Sequence, residues 1–161
     1  MNAAFATWST VIQIHTIAAV LALCLGPFAL WRKKRDRWHR WAGFIWITLM
    51  LVVATSAWFI HTLQLIGPFS PIHLFSLWTY WAIFQALRHV RAGRYRAHGA
   101  EMRALYLWAL GVAGLFTLLP GRHVHQLLFG EHQAMSIAVM FVLGGCLVAI
   151  LRHKPRLAIV R

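Results

Sequence analysis

Between Trp31 and Gly43 the chain reads WRKKRDRWHRWAG, with six Lys or Arg from Arg32 to Arg40 and a single acid, Asp36, among them. An apolar run lies on each side. A cation-rich stretch cannot enter hydrocarbon, whereas apolar runs of about 18 or more residues are transmembrane candidates. The stretch therefore fixes a boundary, and the remainder of the 161 residues can be placed relative to it.

Five apolar runs follow: 8–31, 44–65, 72–89, 104–120 and 134–151. Each is close to the roughly 20 residues that a helix needs to cross a bilayer. Nothing alternates with period two, and open strands cannot span lipid, so helices are expected. Only 12% of the residues are charged, against about 25% in a soluble domain. The expected fold is all-α: a polytopic membrane bundle of five transmembrane helices in a single integral membrane domain, 1–161. MNAAFATWST has no basic n-region, so the first helix is expected to be retained rather than cleaved. Pro27 should kink that helix or mark its end. Cys24 and Cys146 fall in apolar runs and read as small packing residues.

The net charge of +13 is not spread evenly. The first connection, the third connection and the C-terminal tail hold six, five and four Lys or Arg, which leaves only Arg122 for the opposite side. The positive-inside rule then puts the N-terminus outside and the C-terminus inside, in the cytoplasmic (inner) membrane. Clusters flanking apolar runs point to anionic lipids at the cytoplasmic face, and not to nucleic acid. Asp36 and Glu101 sit among these arginines as expected local ion pairs.

Ten histidines are many for such a chain, and an ionisable side chain inside the membrane is a functional hypothesis by default. His15 lies 17 residues from Arg32, and His73 lies 15 residues from Arg88. At the rise of a helix these are about 25 and 22 Å from the basic boundary. The two imidazoles are thus expected at one level, toward the outer face. Histidines on different helices can hold a haem iron, and either can hydrogen-bond a quinone. From His15 the small residues Ala19, Ala22 and Gly26 recur at helical spacing, and His73, Ser76 and Tyr80 share a face. The offsets His15 to His73 and His39 to His98 are 58 and 59 residues. A four-helix core made of two parallel helix-hairpin repeats, plus one C-terminal helix, would explain them.

His123, His125 and His132, with Glu131, form a weaker donor set suited to zinc or copper. Three acidic residues leave no carboxylate pair for hydrolysis, and no nucleophile or phosphate-loop motif is present. No catalytic residue is assigned.

HRWAG at 39–43, HGAEMR at 98–103, His15 and Pro120-Gly121-Arg122 resemble the bacterial predicted membrane proteins grouped as "domain of unknown function 2306". That resemblance implies a small polytopic bundle in the cytoplasmic membrane, without an assigned activity. A helical bundle with histidines near both faces is also similar in architecture to cytochrome b561 and ferric-reductase-like proteins.

The expected function is that of an integral membrane redox-type protein binding haem b or a quinone near its outer face. His15 and His73 would be axial ligands or quinone partners, Arg122 would neutralise propionates, and Tyr80 and Trp78 would line the site. His39 and His98 could form a second site at the inner face. The rival readings are an accessory or assembly subunit of a larger membrane complex or homo-oligomer, and a transporter of a small solute or metal. Against the transporter, no Asp or Glu lies within an apolar run.

Overall fold

A computed structural model of the chain describes residues 3–32, 36–60 and 71–152. The Gly67-Pro68-Phe69-Ser70-Pro71 sequence, whose glycine and prolines predict a sharp break between the second and third apolar runs, lies outside them up to Ser70, as do His61 and most of the basic C-terminal tail, with His153. Among the described residues the order is α1 (Ala3–Ala6), α2 (Thr10–Trp31), α3 (Arg37–Ala57), α4 (Pro71–Arg91), α5 (Tyr95–Leu105), a seven-residue π-helical stretch (Tyr106–Val112), α6 (Ala113–Phe116), α7 (His123–Phe129) and α8 (Gln133–Arg152). The chain falls into two compact units, Met1–Leu110 and Gly111–Arg161.

The first unit is a helical bundle in which α2 packs on α3, α3 on α4, α4 on α5, and α5 back on α2. Ser9 starts α2 by accepting the Ile12 N–H on its hydroxyl, 3.4 Å away. The α2 face turned inward carries Ala18, Ala22, Gly26 and Ala29. Against it α3 sets its two largest buried side chains, Trp46 and Met50. Small residues on one helix leave room for large ones on the next, which is how close packing is reached without a void. Ala82, Ile83 and Ala86 of α4, with Met102 and Leu105 of α5, close this core.

Pro27 lies inside α2 and does not end it. Proline has no N–H, so the carbonyl four residues back, that of Leu23, loses its helical donor. The Tyr106 hydroxyl supplies one at 3.1 Å, and one residue earlier the Trp46 indole N–H donates to the Ala22 carbonyl at 2.9 Å. Neighbouring helices thus re-satisfy the backbone that the proline disturbs. Gly26 makes this possible, because a Cβ there would overlap the Tyr106 ring.

Polarity runs inside out along α4. His73, Ser76 and Thr79 are buried, while Leu74, Leu77, Trp81 and Phe84 are exposed. The outward row suits lipid, and the inward hydroxyls bond their own helix: Ser76 donates to the Ile72 carbonyl (3.0 Å) and Thr79 to that of Phe75 (2.8 Å).

The five transmembrane helices expected from run length are corrected here. Two helices, Thr10–Trp31 and Arg37–Ala57, are long and apolar enough to cross a membrane; a third is gained only if His123–Phe129 and Gln133–Ala149 count as one span broken by a 108° bend. The physical reason is that freedom from charge is weaker than apolarity. Helix α4 gives its inner face to polar groups and ends in Arg88, His89 and Arg91. The run 104–120 is no helix of its own. It continues the polar α5, which begins at Tyr95, passes through the π-helical stretch and stops at Phe116. The basic stretch is also more than a connection, since α3 already begins at Arg37.

In the second unit α8 packs on α6 and α7. Leu115 faces Gly144, and Ser136 is fully buried with its hydroxyl donated to the Gln133 carbonyl at 2.8 Å.

Candidate functional site

The end of the first unit away from the basic clusters gathers a polar group around the last turn of α3. His15 Nδ1 stands 2.9 Å from the Ser56 hydroxyl oxygen. Ser56 has one proton, and its closest acceptor is the Val52 carbonyl at 2.6 Å. With that proton so used, His15 donates from Nδ1, and the neutral imidazole carries its lone pair on Nε2. His73, only 4% exposed, meets the Trp58 ring edge-on at 5.2 Å between centroids. Thr55 and Tyr80 share a hydrogen bond of 2.8 Å, and Trp78 packs at the edge of the core.

The two histidines expected at one level thus both reach the last turn of α3, one through Ser56 and the other through Trp58. Residues two apart on a helix point about 200° away from each other. The imidazoles therefore meet α3 on different faces. Ser56, Trp58 and Thr79 were not singled out by the sequence reading. Ser56 could have been found, because it falls on the helical row that carries the buried Ala42 and Trp46 toward α2.

At the basic end, His39 and His98 lie in the first turns of helices rather than in connections. Each is fixed in the same way. His39 Nδ1 is 3.0 Å from the Ala29 carbonyl, and His98 Nδ1 is 2.9 Å from that of Ala86. A carbonyl only accepts, so both rings donate from Nδ1, each to the helix that precedes its own. Asp36 caps α3, accepting the His39 backbone N–H at 3.0 Å and the Arg32 guanidinium at 3.1 and 2.6 Å. The Arg32 hydrogen bond, and then the His39 N–H, hold the Asp36 carboxyl well below the usual carboxylate range, and Asp36 in turn raises Arg32.

Arg122, His123, His125 and His132 belong to the second unit. Arg122 precedes α7, and His123 and His125 lie within it. Among the described residues no three His, Cys, Asp or Glu side chains are placed to hold a metal ion. His125 is buried with neither ring nitrogen hydrogen-bonded, and its ring tilts against Phe129 at 5.9 Å.

The family model described as "Predicted membrane protein (DUF2306)" covers residues 12–153. None of the curated proteins and none of the solved structures matches the chain. The chain belongs to that family of predicted membrane proteins, and it is a multi-pass membrane protein in keeping with its apolar helices.

Proposed function

We propose that this member of the family is a redox-type membrane protein. It binds a quinone at the end of the first unit away from the basic clusters, and those clusters face the cytoplasm in a bacterial inner membrane. The observation that carries the reading is the hydrogen-bond relay at His15. Val52 takes the Ser56 proton, Ser56 takes the His15 Nδ1 proton, and Nε2 is left as an acceptor for a quinol hydroxyl. A histidine beside an apolar helix face is well suited to a lipid-soluble ring with one polar edge. The His73–Trp58 contact and the Thr55–Tyr80 pair add polar and aromatic groups on other faces of the same end of α3.

Haem b at the same histidines is the competing ligand. It asks more of the geometry, because iron needs two imidazoles on a common axis, whereas a quinone needs one hydrogen-bonding imidazole. Protein purified from cells replete in both ligands decides the matter. The expected result is quinone in the organic extract of the wild type, reduced in His15→Ala, with no band in the visible. A Soret band that shifts on dithionite reduction and disappears in His15→Ala and in His73→Ala would replace quinone by haem b. Folded protein lacking both ligands would overturn the reading.

A further inference from the structure

The last turn of α4, the turn after it and the start of α5 carry Arg88, Arg91, Arg94 and Arg96, all exposed. None of them is ion-paired among the described residues. Arg88 lies over the Phe84 ring at 5.7 Å and reaches only the neutral Gln85. Gly93, Arg94, Tyr95, Arg96 and Ala97 line a surface depression at the same place. The α2–α3 end provides an internal reference. There a carboxylate, Asp36, sits at the start of the returning helix and neutralises an arginine. The position that starts α5 is held instead by Arg94, with no side-chain cap. Both ends are rich in cations; the α2–α3 end bonds one of its arginines to its own carboxylate, and at the α4–α5 end Arg94 and Arg96 line a hollow.

We infer that the α4–α5 turn is a binding site for the phosphate of an anionic phospholipid, held by Arg91, Arg94 and Arg96. Exposed Trp81 and Phe84, two turns and one turn before Arg88 on α4, give the acyl chains an apolar surface to follow. The site is independent of the ligand at the opposite end of the unit. Each cation close to an anionic leaflet is worth about fivefold in partitioning.

The test uses the full chain in nanodiscs that mix phosphatidylglycerol with phosphatidylcholine, with retained lipid counted by native mass spectrometry. Phosphatidylglycerol should be retained over phosphatidylcholine. The triple variant R91Q/R94Q/R96Q should lose that preference by well over the about fivefold expected for one cation, and R37Q/R40Q should lose less. Ala92→Glu, which puts a carboxylate into the exposed turn, should weaken retention without removing an arginine. Addition of inorganic phosphate should leave the bound lipid in place. Equal losses in the triple and the R37Q/R40Q variants, retention unchanged by both the triple variant and Ala92→Glu, or displacement by inorganic phosphate would each overturn the inference.

Discussion

At the α2–α3 end the returning helix starts with Asp36, which caps the backbone and binds Arg32 through two hydrogen bonds. At the α4–α5 end the departing helix stops on Gly93, whose φ of 70° lies where side chains are strained. There the Gly93 N–H returns to the Val90 carbonyl (3.1 Å), and the Arg94 N–H to that of His89 (2.8 Å). Both ends then place a histidine on the second helix whose Nδ1–H bonds a carbonyl of the first, Ala29 or Ala86. The histidine clasp is common to the two ends, and the caps differ: at one a carboxylate that binds an arginine, at the other a glycine turn beside Arg94 with no side-chain cap. A helical hairpin can therefore be closed by one device while its turn is capped in two different ways, by a carboxylate or by a glycine.

The comparison can be broken most forcefully at Gly93. Gly93→Ala forces a side chain into the left-handed region at a cost of about 1–2 kcal/mol. In a chain of this size each kcal/mol lowers the thermal midpoint by about 2–4 °C. A midpoint unchanged in detergent would mean that the α4–α5 end does not depend on that turn. Next come the two clasps. His39→Ala and His98→Ala should each cost about 1 kcal/mol, one hydrogen bond apiece. Similar losses would support a shared role, whereas a loss confined to one end would separate them.

Smallest is the charge on Asp36, because its carboxylate is solvent-accessible. Its carboxyl is depressed in the folded state, so its contribution is fully present above the unfolded carboxylate value of about 3.9. That contribution disappears as pH falls through the lower folded value. The melting difference between wild type and Asp36→Asn should stay constant from about pH 8 to pH 5 and shrink in stronger acid. A difference that grew on acidification would contradict the ion pair.

Much of this was legible in the chain and some of it was not. Helical rise converts residue count into distance, so the spacings from Arg32 to His15 and from Arg88 to His73 were enough to point both histidines to the end of the hairpins away from the arginines, where His15 reaches Ser56 and His73 reaches Trp58. Asp36 among arginines was readable as an ion pair; Glu101, read in the same way, pairs with no arginine among the described residues. The number of crossings was not legible, since α4 looks apolar by its lack of charge while burying His73, Ser76 and Thr79. The small-residue stripe holds, with Ala19 packed against the core cluster that contains Ala22. Ala22 and Gly26 are buried as expected, and Ala18 and Ala29 join them. The rescue of the Leu23 carbonyl by Tyr106 could not be seen from the sequence, because it joins residues 83 apart in the chain. Pro27 announces a missing donor, but only the packed bundle shows which side chain replaces it.

The central claim, that the His15 relay binds a lipid-soluble redox ligand, is tested most directly by titrating a short-chain ubiquinone into the purified protein and following quenching of tryptophan emission. Wild type should bind saturably. His15→Ala should bind about tenfold more weakly, the equivalent of one lost hydrogen bond, and Ser56→Ala should fall between them. Equal affinity in wild type and His15→Ala, with both proteins folded, would contradict the account.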